Sequence, residues 1–292
     1  MTDTYKSILR AGCFARRVVV VTGGGSGIGR CVAHELASLG AKVVITGRKQ
    51  EKLDAVAAEI AEDGGAVSTE AFDIREEQAV KAAIERILAR EGAIHGLVNN
   101  AGGQYPALLE GISQKGFETV VRTNLVGGFL VARECFTQHM KAHGGAVVNV
   151  TADFWDGMAG MGHSGAARAG MDNFTKTASV EWAASGVRVN AVAPGWIASS
   201  GLDTYEDEFT KAMLPELKKH VPLKRLATEA EVSAVICFLL SEGAAFVSGA
   251  NIPIDGAASQ GRPIFPLAPA KNVAVFQGFH RYRAPTSVSE TD

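Results

Sequence analysis

The sequence predicts an α/β fold, a doubly wound parallel sheet with helices on both faces. Three observations predict it. Short β-branched runs alternate with longer stretches of helical spacing along most of the chain. The first run, Val18-Val-Val-Val-Thr22, is apolar on both faces, as a strand covered on both sides must be. A glycine-rich turn then joins that strand to the first helical stretch.

The elements follow in order. Residues 18–22 are the first strand, and 29–39 have helical spacing that stops at Gly40. The second strand is 42–46 and the second helix 49–62. A third strand over 67–72 leads to a helix over 76–90, and 95–99 is the fourth strand. A long helix is expected from 113 to about 131, or a break near Gly127-Gly128. Residues 146–151 form the fifth strand, 166–185 a helix, and 188–193 the sixth strand. Residues 200–222 are polar, carry Pro215 and Pro222, and read as a flap. A helix over 229–240 and a short strand over 251–255 complete the unit. The domain is expected to span 1–256, and 257–292 is a C-terminal extension without clear periodicity.

Composition narrows the function. Of 292 residues, 47% are hydrophobic and 21% charged, enough for a large core and against disorder. The net charge of −2, without a basic run, argues against nucleic acid or a membrane surface as partner. No apolar stretch approaches the roughly 20 residues a bilayer span needs. The first residues lack a secretory core and the last match no peroxisomal or lipidation signal, so a cytoplasmic protein is expected. Cys13, Cys31, Cys135 and Cys237 are scattered, which points to reduced thiols and no metal site.

The turn Thr22-Gly23-Gly24-Gly25-Ser26-Gly27-Ile28-Gly29 follows a strand and opens a helix. Glycines there allow close backbone approach to a pyrophosphate seated on the helix N-terminus, so a Rossmann-type dinucleotide site is expected. The second strand ends Thr46-Gly47-Arg48-Lys49, with no carboxylate to bind a ribose 2′-hydroxyl. Arg48 can instead pair with a 2′-phosphate, which selects NADP (NADPH) over NAD. The alternative is that Arg48 is a solvated charge at a helix start.

With Asp73, Asn99-Asn100-Ala101-Gly102, Asn124, Thr151 and Pro194-Gly195 in order, residues 14–256 resemble the short-chain dehydrogenases/reductases. The resemblance implies that Asp73 and Ile74 hold the adenine and that Asn100, Ala101 and Gly102 shape the cleft. It also implies that Pro194, Gly195 and Ile197 meet the nicotinamide amide, and that Ser199 contacts a phosphate. That family carries Tyr-x-x-x-Lys where this chain has Ser164-Gly-Ala-Ala-Arg168. Within the family, His163 to Gly170, Gly102-Gly103-Gln104 and Cys237 to Ser241 look like the trans-2-enoyl-CoA reductases of the peroxisomal type. The related 2,4-dienoyl-CoA reductases also have Ser in the Tyr slot but keep the Lys. The resemblance implies NADPH-dependent reduction of a C=C bond in an acyl-CoA, with branched or terpenoid acyl groups a further option in bacterial relatives.

The missing tyrosine fits that chemistry. A serine hydroxyl is far less acidic than a phenol, and an arginine holds ribose hydroxyls without relaying a proton. Carbonyl chemistry should therefore be weak. Hydride addition to an enoyl thioester gives an enolate, which needs hydrogen-bond donors and a proton at the α-carbon. Ser164 and Thr151 can supply the donors, and Asn124 stands where the family binds a water chain. Asp153, beside Phe154 and Trp155, can be an acid of raised pKa or a solvated loop carboxylate. Tyr105 and Tyr205 are within reach of the cleft by sequence. Asp172 reads as an exposed helix residue, and His163 as either pocket-lining or structural. Trp155, Met158, Met161 and Trp196 can line an acyl pocket or pack a core. Two rivals stand beside this reading: an NAD(P)-dependent alcohol or aldehyde dehydrogenase for an aliphatic or terpenoid substrate, and a catalytically silent nucleotide-binding sensor. The substrate partner is an acyl-CoA or another apolar small molecule. The family implies a homodimer or homotetramer through helices at 113–131 and 166–185, with Ala166, Ala167, Ala169 and Gly170 allowing close approach.

Overall fold

The computed structural model describes residues 4–204, 216–260 and 269–286. Its centre is a seven-stranded, all-parallel sheet in the order β3-β2-β1-β4-β5-β6-β9. The strands are β1 (Val18–Thr22), β2 (Lys42–Gly47), β3 (Ala66–Ala71), β4 (Gly96–Asn99), β5 (Gly145–Val150), β6 (Val187–Pro194) and β9 (Asn251–Ile254). Two short strands, β7 (Ile197–Ala198) and β8 (Ala227–Thr228), pair separately. Helices α1 (Gly27–Ser38), α2 (Gln50–Glu62), α3 (Glu77–Glu91), α7 (Gly162–Glu181) and α8 (Glu229–Leu240) cover the sheet. The strand order reverses between β1 and β4, which leaves a crevice at their carboxyl ends, the ligand position in such sheets.

β1 forms because four successive valines favour extended backbone and pack on both faces; all five of its residues are buried. One face meets Val32, Leu36, Leu53 and Ile236, and the other meets Ile84, Ile87 and Val131. The two cores explain why the strands lack polar alternation.

The boundaries move by one or two residues at most strands. Two helices differ more. The expected helix of 113–131 continues to His143, as α4 (Gln114–Val121), α5 (Gly127–Cys135) and α6 (Lys141–His143), joined through π-turns at Arg122–Val126 and Phe136–Met140. Gly127-Gly128 do not break it. Both are buried, and a side chain at Gly127 would collide with Ile74. α7 begins at Gly162 rather than 166, which puts Ser164 inside its first turn. Of the expected flap, residues 205–215, with Tyr205, lie outside the described residues, as do 261–268 and 287–292 of the extension.

Residues 269–286 pack back on the same chain. Phe279 is buried among Tyr5, His34 and Arg30. Arg281 pairs with Asp63 and Glu62 at the end of α2, and Thr228 donates its hydroxyl to the Phe276 carbonyl. Among the described residues no helix is long and apolar enough to cross a membrane.

Candidate active site

The cleft above the switch point begins with a helix end that has no partner of its own. Ser26 sits at the N-cap of α1 in extended conformation, its side chain makes no capping hydrogen bond, and the first turn holds no acid. The orphan N–H groups of that turn are thus left for an anion. By contrast α8 is closed by a capping box between Thr228 and Glu231. Two glycines make room for the anion's approach. Gly23 has φ of +67°, and a Cβ there would lie 2.9 Å from Asn100 Nδ2; one at Gly29 would overlap the Gly23 carbonyl. Gly25, Gly27 and Ile28 complete the turn.

Thr22 and Asn100 stitch this turn to the end of β4. The Thr22 hydroxyl donates to the Val98 carbonyl and accepts from the Asn100 and Ala101 amides, each at 3.0 Å. Asn100 Nδ2 returns to the Thr22 carbonyl at 3.0 Å. These two residues act by holding the backbone.

A cavity of about 540 Å³ runs outward from the turn, lined by Ser26, Ile28, Arg48, Asp73, Ile74, Asn100, Ala101, Gly102 and Ser199 among others. Lys49, Lys52 and Arg75 line it too. Asp73 accepts Arg75 through backbone and side chain, and that pairing, with Arg48 nearby, holds its carboxyl below the ordinary range. Arg48, Lys49 and Lys52 make this end strongly cationic. The uncapped helix, the glycine cradle and the cation cluster together fit the phosphates of a dinucleotide.

At the other end, α7 and the loops after β4 and β5 converge. Asn124 is buried in the first π-turn, where its Oδ1 accepts the Gly103 amide at 2.9 Å and its Nδ2 donates to the Gly103 carbonyl at 3.0 Å. It therefore pins the Gly102-Gly103 turn directly. Ser164 is fully buried and donates its hydroxyl to Gln104 Oε1 at 2.6 Å. Thr151 is 3% exposed and donates to the Val192 carbonyl at 2.9 Å, so its proton points into the sheet. Arg168 donates from Nη1 to the Val150 carbonyl at 2.7 Å, and its Nη2 borders Gly102. Burial pushes its pKa down to about 10, so it stays charged at neutral pH.

Asp153 is partly buried on the loop after β5, its amide donating to the Pro194 carbonyl at 3.3 Å. Burial, then the carboxylates of Asp255 and Asp156, push its carboxyl pKa up. Pro194 ends β6. Gly195 packs so tightly that a Cβ would lie 2.8 Å from Asp255 Cβ, and Ile197 is buried beside it.

Sequence reasoning missed Gln104, Lys52 and Arg75 as cleft residues. Arg75 follows two residues after Asp73, and Lys52 follows one helical turn after Arg48; both spacings were readable. Gln104 meets Ser164 across 60 positions, which no local pattern reveals. Asp172 is not exposed: it is 8% accessible, pairs with Lys176 at 2.6 Å and accepts Asn251 Nδ2 at 2.9 Å. Trp196 separates from the other apolar candidates and packs with Leu202, Leu217 and Leu226. Met158 and Met161 sit at the start of α7, while Trp155 is 43% exposed and stacks on Phe154. His163 is buried, accepts the Ser164 amide on Nδ1 and meets the Tyr105 ring edge-on at 4.5 Å. The loops after β4 and β5 are bridged at Ala107 and Met161.

Residues 23–259 match the family model described as Enoyl-(Acyl carrier protein) reductase. The chain belongs to the short-chain dehydrogenase/reductase family. As a member of it, the chain is an oxidoreductase of the NAD(P)-dependent kind. Among its relatives is a probable 2,4-dienoyl-CoA reductase of Bacillus subtilis (strain 168), 35% identical over 247 residues, covering 82% of this chain and 96% of that one. Another is the cis-4-hydroxycyclohexanecarboxylate dehydrogenase of Sinomonas cyclohexanicum, 39% identical over 251 residues, covering 83% and 96%. Among solved structures, the citronellol catabolism dehydrogenase of Pseudomonas aeruginosa PAO1 is 64% identical with a TM-score of 0.79, covering 88% of this chain and 100% of that one. The family normally reads Tyr-x-x-x-Lys at the start of α7, and this short-chain dehydrogenase/reductase has Ser164 and Arg168 there.

Proposed function

We propose that this chain is an NADPH-dependent reductase of the C=C bond in an enoyl-CoA thioester, with a branched, acyclic acyl chain as the substrate class. The observation that carries the reading is the buried Ser164, hydrogen-bonded to Gln104, in the place of the phenol that carbonyl chemistry needs. The relatives' names span dienoyl-CoA reduction and alcohol dehydrogenation, and the citronellol relative suggests the branched chain.

The uncapped N-terminus of α1 binds the diphosphate, Arg48, Lys49 and Lys52 hold the 2′-phosphate, and Arg168 reaches the ribose hydroxyls. NADPH, when bound, supplies the hydride. The Ser164 hydroxyl rotates from Gln104 to the thioester oxygen and donates to the enolate as charge develops. Thr151 and Asn124 hold the strand end and the Gly102-Gly103 turn in place. Asp153 is protonated more readily than an ordinary carboxyl, and it delivers the α-proton directly or through one water. Leu108, Leu109 and Trp155 are exposed on the loops after β4 and β5, and on this reading they would offer the acyl chain an apolar surface. The assembly is a homodimer or homotetramer through the α4–α6 helix and α7. Phe129 and Val180 are exposed there, Ala166 and Ala169 face outward, and Gly170 lies against Leu125 of its own chain.

The second reading is an alcohol dehydrogenase for an acyclic terpenoid, with Asp153 as base; the 64% identity to the citronellol relative favours it. One experiment separates them. Loss of reduced-nicotinamide absorbance with straight and branched trans-2-enoyl-CoAs is expected. Reduction of NADP⁺ by citronellol, with all enoyl-CoAs inert, would overturn the first reading in favour of the second.

A further inference from the structure

Arg168 is a part-buried cation beside Gly102 that makes no ion pair among the described residues. Arg75 is matched by Asp73, Arg30 by Glu59 and Arg225 by Glu231. Arg168 has one hydrogen bond, to the Val150 carbonyl, and its Nε is sealed from solvent with no partner. Among the described residues no carboxylate pairs with it. Its guanidinium lies between the ends of β4 and β5, against Gly102 and close to Asn124, since a Cβ on Gly102 would touch Arg168 Nη2 at 2.8 Å and Asn124 Oδ1 at 3.0 Å. That is the side of the switch point away from Arg48 and Asp73, so it is the nicotinamide half of a dinucleotide that must lie there.

An oxidised nicotinamide ring carries a positive charge, and a reduced one is neutral. A part-buried cation beside the ring raises the free energy of the oxidised form alone. A lysine in this position can release its proton near neutral pH and relieve the repulsion; the guanidinium, with its pKa at about 10, keeps its charge there. We propose that Arg168 is a fixed positive charge that biases the bound cofactor toward its reduced form, and so sets this site to run as a reductase. The inference rests on the NADP reading above and adds a direction to it. It explains why arginine, which gives no proton relay, stands four residues after a serine that needs none.

The test is equilibrium binding of NADPH and NADP⁺, by cofactor and tryptophan fluorescence, to the full chain and to Arg168→Met and Arg168→Lys. At an effective permittivity of about 20, the wild type is expected to hold NADPH at least about tenfold more tightly than NADP⁺. A tenfold ratio corresponds to about 30 mV in the potential of the bound two-electron couple. Arg168→Met should bring the two affinities within about threefold of each other, mainly by tightening NADP⁺ relative to NADPH. In the wild type the ratio should hold steady from about pH 6 to 9, and in Arg168→Lys it should fall as the buried ammonium deprotonates. Equal loss of both forms in Arg168→Met would make Arg168 a ribose grip only and overturn the inference. Should the methionine variant not fold, a pH-independent ratio in the lysine variant would overturn it as well. A wild type that binds neither form would instead overturn the NADP reading itself.

Discussion

Arg48 and Ser164 show what single residues decide at the two ends of the cleft. Arg48 stands on the rim with Lys49 and Lys52, and Asp73, a carboxylate lining the same cavity, is occupied by Arg75. Arg48→Ala should weaken NADPH binding by roughly tenfold or more and NADH binding by less than about twofold, read as dissociation constants. Equal losses would assign the selectivity to the lysines. Ser164→Ala removes the donor held by Gln104. It should lower turnover on an enoyl-CoA by about ten- to a hundredfold while leaving the NADPH dissociation constant unchanged, because the serine does not contact the cradle. The glycines, Arg48 and the loss of the tyrosine were all legible in the sequence, since each is a local requirement of backbone or charge. The direction in which the Ser164 and Thr151 hydroxyls point was not, because it depends on Gln104 and Val192, which are distant along the chain.

Among the elements, strands were the easiest to read and the extension the hardest. β1 announces itself through four successive valines, and β2 and β5 through the shorter apolar runs Val43-Val44-Ile45 and Ala146-Val147-Val148. The long helix did not show its length, because π-turns at Arg122–Val126 and Phe136–Met140 shift the register of its apolar face. The extension lacks periodicity for a different reason: it attaches through separate anchors, Phe276, Phe279 and Arg281, rather than through a face. Phe279 is the most deeply placed of these anchors, buried to 2% among Tyr5, His34 and Arg30. Phe279→Ala should destabilise the chain by about 3 kcal/mol in denaturant titration. A change below about 1 kcal/mol would show that the anchor does not hold in solution.

On the scale of the molecule, two buried groups give stability opposite dependences on pH. His34, beside Glu59 and Asp63, has its pKa lowered to about 4 by burial. The fold disfavours its proton, so stability present above about pH 6.5 declines as pH falls toward 4. Glu229 is 5% exposed and has its pKa raised to about 7, again by burial. Its contribution is fullest below pH 4.5 and is lost as pH rises through 7. Glu229→Gln should therefore gain up to roughly 3 kcal/mol relative to the wild type at pH 8 but not at pH 4.5, by thermal melting. A uniform gain across pH would mean that shape, not charge, is responsible. Glu229 also lies near the glycine turn that opens α1, where a Cβ on Gly27 would be 3.9 Å from its Oε1. The floor of the cleft is tied together, because the Thr22 hydroxyl accepts both the Asn100 and Ala101 amides while the Asn100 side chain donates to the Thr22 carbonyl at the start of the glycine turn. On the dinucleotide reading proposed above, a ligand held only at the Arg48 end would therefore also order the backbone at Asn100 and Ala101. A 2′-phosphorylated adenosine fragment, too short to reach the nicotinamide side, should for that reason slow hydrogen exchange at the amides of Asn100 and Ala101.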